Sequence, residues 1–136
     1  MVDLAPLFAL GQSLVEQAVD TSGTVARLET RTTVTDPATL DTSTTATVLA
    51  ADLPALVVAA GNANATQQVI PGLDVRPSDW KVILKPAVTP PPVGAWVVVT
   101  ASRDPHQVGR DAKVIGHVIT SAGAALMVYA RPGTPA

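Results

Sequence analysis

Val97-Val98-Val99-Thr100-Ala101-Ser102-Arg103-Asp104-Pro105-His106-Gln107-Val108-Gly109-Arg110 is the stretch on which the architecture turns. A run of β-branched residues reads as a buried strand, and a charged turn punctuated by proline and glycine leads straight into the next strand. Asp104 and Pro105 suit the start of a tight turn, because proline presets φ and aspartate accepts hydrogen bonds from nearby backbone. Gly109 can take the positive φ with which the chain re-enters a sheet. Arg110 is then placed to fork onto a carboxylate such as Asp104, or onto a carbonyl of a neighbouring chain. A locally closed, salt-bridged turn is the first reading of Arg103, Asp104, Pro105, Gly109 and Arg110, and an intersubunit contact is the second. As a phosphate site two arginines without interleaved aromatics are weak.

Outward from this turn the same language continues in both directions. Residues 95–100, 113–119 and 126–130 read as strands, and residues 79–85 alternate with Trp80, Val82 and Leu84 on one face and Lys81 and Lys85 on the other. Thr89-Pro90-Pro91-Pro92 is a stiff connector lacking backbone donors. Residues 24–34 and 44–51 are rich in Thr and Val, and between them Asp36-Pro37-Ala38-Thr39-Leu40-Asp41-Thr42 reads as a loop. The segment 59–66, small and rich in Gly and Asn, suits an exposed loop tip, and 69–75 could hold a short strand interrupted by Pro71-Gly72.

One helix precedes all of this. Leu4, Leu7, Phe8, Leu14, Val15, Ala18 and Val19 form a stripe at helical spacing, Asp3 suits the N-cap, and Asp20-Thr21-Ser22-Gly23 ends the run. That stripe packs either on its own domain or between neighbouring subunits. The expectation is a mainly β (α+β) chain, a single domain over 1–136. It has a helix at about 4–19, a small β-barrel or sandwich of about six or seven strands over 24–131, and a frayed tail at 132–136. Closure into a barrel is favoured because it leaves no open sheet edge.

Composition narrows the function. Hydrophobic residues make up 47% of the 136, aromatics 3% and charged residues 15%, so Val, Ala and Leu must fill the interior. So little charge on so apolar a chain points to surface hidden against partners. A net charge of −2 argues against a dedicated nucleic-acid binder. With no cysteine there is neither a disulfide framework nor a thiolate metal site. The opening residues lack the basic segment of a secretory signal, and no apolar run reaches the roughly 20 residues of a membrane span, so synthesis in a cytoplasm is expected.

Chemistry has little to stand on. His106 lies in the turn and His117 in an apolar strand, where a half-buried structural histidine is expected. The aspartates are scattered through turns, and no phosphate loop or nucleophile elbow is present. Trp80 and Trp96 each begin a β-run and read as core or interface anchors. No catalytic residue, metal ligand or cofactor is expected.

Taken together these elements resemble the head-to-tail connector proteins of tailed bacteriophages infecting actinobacteria, in the head-completion or stopper class. The resemblance rests on the helix at 4–19, Val34-Thr35-Asp36-Pro37-Ala38-Thr39 between early strands, the proline-bounded strand 79–86, the strand 92–100, and above all Ser102-Arg103-Asp104-Pro105 with Val108-Gly109-Arg110. It implies a structural protein of the virion neck, a homo-oligomeric ring, dodecameric or alternatively hexameric. The ring would lie below the portal or its adaptor, meet a tail terminator or tail tube on its other side, and continue the DNA channel without sequence-specific contacts or a membrane. It also implies a loop reaching into the lumen. The candidates are residues 36–44 (Asp36, Pro37, Thr39, Leu40, Asp41 and Thr42 among them), preferred, and residues 54–68, both free of positive charge. A tail-terminator ring is the nearest alternative, and an OB-like ligand-binding module is the alternative from another class.

Overall fold

The computed structural model describes residues 5–59, 75–119 and 125–133. The elements are α1 (Ala5–Thr21), β1 (Thr24–Thr35), β2 (Thr42–Ala59), β3 (Trp80–Leu84), β4 (Trp96–Ala101), β5 (Asp111–Ile119) and β6 (Leu126–Pro132). The strands form one closed barrel in the order β1-β2-β3-β6-β5-β4, with every neighbouring pair antiparallel. The sequence-derived fold class, mostly β with one N-terminal helix, is what the chain adopts.

Alternation explains the barrel strand by strand. Ala26 and Leu28 of β1, Val82 and Leu84 of β3, and Val97 and Val99 of β4 turn inward. They meet Ala112 and Val114 of β5 and Leu126, Val128 and Ala130 of β6 in a single core. Eight strands leave room for side chains to fill the interior, and six leave less, so small branched residues are what fits. The scarcity of aromatics in the composition follows from this geometry.

Two register shifts between β1 and β2 flank Leu28, and opposite them Asp52 takes a φ of +55°. Such a bulge bends the strand and raises its local twist. It also accounts for a difference from the sequence reading. Strand character was expected to stop at residue 51, with 54–68 as a candidate loop, yet β2 runs through Pro54 to Ala59 and pairs with β3. Proline is tolerated beside a bulge because the ladder is already interrupted there. Residues 60–68 of that candidate loop, and the possible strand at 69–75 up to residue 74, lie outside the described residues. β6 likewise continues through Pro132, the first residue of the expected frayed tail.

A buried carboxylate ties the end of the barrel together. Asp79 is fully buried and accepts hydrogen bonds from Arg131 Nε and Nη2, both at 3.0 Å, and from the Arg76 backbone N–H at 2.8 Å. This two-pronged fork joins the start of β3 to the end of β6, its register neighbour. Asp79→Ala leaves the guanidinium facing a gap and should destabilise the fold by about 3 kcal/mol, read as a lowered denaturation midpoint with an unchanged slope. An effect within about 0.5 kcal/mol of the parent would mean the fork is not a structural tie.

Candidate functional site

β1 and β2 are far longer than the strands they pair with. β4 pairs with β1 only as far as Glu29↔Trp96, and β3 reaches β2 only from Ala55 onward. Beyond those limits β1 and β2 pair, among the described residues, only with each other, and they leave the barrel as a two-stranded arm in which every residue from 32 to 49 is exposed. At about 3.3 Å per residue the stretch from Thr30 to Thr35 carries the tip roughly 17 Å outward. Threonine pairs line the arm, with Thr33 and Thr44 hydroxyls 3.3 Å apart and those of Thr35 and Thr42 3.4 Å apart. An isolated ribbon of two strands is marginal in water, so the arm draws its stability from its root.

The tip is a tightly bonded turn. The Asp36 backbone N–H donates to the Asp41 carbonyl at 2.8 Å and Leu40 N–H to the Asp36 carbonyl at 2.7 Å, while Asp36 Oδ1 accepts from Ala38 N–H at 2.8 Å. Thr39 Oγ1 accepts from Asp41 N–H at 3.4 Å. Leu40 has a φ of +61° and is 77% exposed. Glycine or asparagine is the usual occupant of that conformation. Of the lumen-loop candidates, Asp36, Pro37, Thr39, Leu40 and Asp41 form this tip, and Thr42 opens β2.

The root of the arm is held by charge. Arg27, Glu29 and Arg31 alternate along β1 and all point away from the core. Arg27 Nε and Nη2 donate to Glu29 Oε1 at 3.0 and 2.8 Å, Arg31 Nε donates to Glu29 Oε2 at 3.1 Å, and Arg31 Nη1 donates to Asp111 Oδ2 of β5 at 2.8 Å. The Arg31 guanidinium lies 4.3 Å from the Trp96 ring centroid, with Lys113 Nζ 5.9 Å from the same ring. Trp96 is thereby covered, only 3% exposed on an outward face, and offers no open ring for a ligand to stack on. Burial opposes ionisation of Glu29, but the two guanidiniums outweigh it and hold the carboxyl below its ordinary range. Burial likewise works against the Arg31 charge, and Asp111 and Glu29 override it and raise its pKa.

Beside this root lies an apolar groove of about 590 Å³. Its walls include Leu28, Leu49, Leu53 and Val88, its floor includes the proline run of the β3–β4 connection, and among the described residues Lys85 is its one charged lining residue. Lys85 Nζ is 2.7 Å from Asp20 Oδ1 at the end of α1.

The turn between β4 and β5 differs from its sequence reading. Asp104 Oδ1 accepts from His106 N–H at 3.0 Å, and no ion pair joins it to Arg110. Arg110 instead reaches back to 6.0 Å from the Trp80 ring centroid, on the rim of a second cleft of about 340 Å³. Asp104 caps its own turn backbone while the Arg110 side chain is directed towards Trp80, so the expected local salt bridge does not form. Pro105 is exposed, and Gly109 has the expected positive φ, +84°, while its N–H donates to the Val99 carbonyl at 2.8 Å. Arg103 lies against Gly23, so close that a Cβ there would fall 2.7 Å from its Cγ. His106 and His117 are both exposed, the latter against the half-buried expectation. Among the described residues no group of three His, Asp or Glu could hold a metal ion.

The helix is joined to the barrel by its last turn. Val19 is buried, and Ser22 Oγ donates to the Ala55 carbonyl at 2.7 Å, whereas Leu14 is 57% exposed and Val15 half-buried. Leu14 is therefore not part of the chain's own core, and Leu10 beside it is exposed too. Leu4 and the side chains of Leu7 and Phe8 lie outside the described residues. The sequence reading missed the Glu29 network and the Asp79–Arg131 fork. The alternation Arg27-x-Glu29-x-Arg31 is the visible signal for the first, and nothing local signals the second.

A family of unknown function, DUF6093, matches residues 11–130 of the chain. No curated protein and no solved structure matches it.

Glu29 is ionised below its ordinary value of 4.5, so its contribution to stability is complete above that pH and is lost as the pH falls through the lowered folded value. Glu29→Gln should cost about 2 kcal/mol at neutral pH, and its deficit against the parent should shrink on acidification as the parent's own carboxylate is protonated. Urea denaturation across that range checks both; a deficit that does not depend on pH would exclude the charge network as its cause.

Proposed function

The chain belongs to the DUF6093 family of unknown function, and we propose that it is a structural subunit of a bacteriophage neck, a head-to-tail stopper or connector that assembles as a closed ring. The arm carries this reading. A cation-free ribbon of exposed threonines has little stability of its own and gains it by lying against other copies. Between Arg31 and Arg76 the sequence contains neither lysine nor arginine. A channel lined by such a surface offers packaged DNA no cation to pair with its phosphates, releases no counterions, and so lets the polyanion pass without sticking.

The remaining surface supports assembly as well. Leu10 and Leu14 on the helix, Val34, Leu40, Val48 and Leu49 on the arm, and Ile119 on β5 are large apolar side chains left exposed by a barrel whose interior has no room for them. Each copy would meet its neighbour through two different faces, the heterologous arrangement that closes into a ring. In this reading the portal or its adaptor sits on the head side and the tail terminator or tail tube on the other, and the arm that carries the tip at 36–41 runs along the lumen side of the ring. The ring has twelve copies if it matches a portal, or six.

Size-exclusion chromatography with light scattering, followed by electron microscopy of the purified full chain, should give a cyclic ring with an open centre. Particle fractions should carry the protein at the necks of DNA-filled heads. A chain that stays monomeric at every concentration and is missing from finished particles would remove this reading, and recovery with free tail tubes alone would replace it with a tail-terminator ring.

A further inference from the structure

We propose that the arm tip of one subunit docks into the apolar groove at the arm root of the next copy, with Leu40 as the anchor. The proposal rests on the ring reading above and says what holds neighbouring copies together.

The tip is built at a cost that the chain alone does not recover. Leu40 sits in the left-handed region at φ +61° and exposes 77% of its surface. An L-residue there is disfavoured by roughly 1–2 kcal/mol, and glycine or asparagine would close the same turn without that strain. A large apolar side chain held outward by the four hydrogen bonds of its own turn is ready for a hydrophobic pocket elsewhere.

The groove has the matching properties. Leu28, Leu53 and Val88 supply an apolar bed already joined to the core, and Leu49, 48% exposed, forms part of its rim. Val93, adjacent to the lining Pro92, is 72% exposed and extends the apolar margin. Charge complements charge: the tip carries Asp36 and Asp41 with no cation, and the groove carries Lys85 with no carboxylate among its lining residues. Lys85 and its partner Asp20 are 35% and 50% exposed, so the ammonium can share a second carboxylate without being dragged out of a buried pair.

Connectivity decides whose tip enters. The groove includes Leu49 and Ala50 of the same β2 strand that supports the tip, and paired strands hold that tip at the far end of the arm. A ribbon paired residue by residue from Glu29↔Val48 to Thr35↔Thr42 cannot fold back onto its own root. The occupant is therefore a second copy of this chain. Tip into root, repeated around an axis, is a contact between two different faces and closes into a ring. The threonine-lined flank of each arm then spans the gap between neighbouring barrels on the lumen side.

The absence of cysteine allows a direct test. In the double variant Leu40→Cys with Leu49→Cys, mild oxidation of assembled protein should give a ladder of covalent multimers reaching the full ring, whereas each single variant gives none beyond dimers. Leu40→Gly should leave the monomer at least as heat-stable as the parent, since glycine suits the turn. It should also raise the concentration needed for ring assembly by about tenfold or more, the equivalent of losing the burial of one leucine. Rings that form normally in Leu40→Gly, a disulfide that closes within one monomer, or symmetry-resolved density for a different polypeptide in the groove would each overturn the docking while leaving the ring intact. A parent chain that never associates overturns the docking and the neck reading together.

Discussion

A closed barrel of six strands has a narrow interior, and most of what distinguishes this chain follows from that limit. Val, Ala and a few Leu fill it, with Trp80 admitted only at one end and Trp96 turned outward under Arg31. The chain nevertheless carries 47% hydrophobic residues. The excess has no core to enter, so it appears on the helix, on the arm and on the outer faces of strands. Exposed aliphatic surface is thus one consequence of that geometric constraint.

Strand length supplies the second half of the design. Closure needs only short strands, and β3 and β4 are of that kind at 5 and 6 residues. β1 and β2 run to 12 and 18, and the surplus can only leave the barrel as a pair. The departure is reinforced where it begins: the bulge at Asp52 turns β2, and on β1 the Glu29 carboxylate clamps Arg27 and Arg31, the latter fixed in turn to β5 and Trp96. A projecting element anchored by charge-assisted hydrogen bonds at its root keeps its direction. A lever so anchored can present its tip at a set distance.

How much of this is legible in the residues depends on how local each feature is. The helix, the strands and the positive φ of Gly109 were readable because period, proline and glycine act within a few positions. The loop at Asp36-Pro37 was readable for the same reason, although not as the end of an arm. Its projection depends on β4 and β3 stopping short, and that is a property of pairing register, not of residues 36–41. The Thr- and Val-rich run stops at residue 51, three residues before Pro54, yet β2 continues past both, and the neighbouring bulge makes that proline harmless. Asp104 looked like a partner for Arg110 on spacing alone, but a turn aspartate is claimed first by the nearest backbone N–H. Asp79 and Arg131 lie 52 residues apart in the sequence and meet only because β3 and β6 are neighbours.

Charge is scarce in this chain, but it is not spread evenly. Arg27, Arg31, Arg131 and Lys85 are all engaged in ion pairs on the barrel body, and Arg110 is turned back over Trp80. The arm, by contrast, has two carboxylates at its tip and no cation at all. A surface ribbon of ordinary composition would mix both signs along its length for solubility. Here the hydroxyls of threonine provide hydration without charge, and the cations are spent as ties inside the fold. In the ring proposed above, such a division suits an element that lies beside a polyanion without binding it and brings its two charges to an apolar, lysine-rimmed groove.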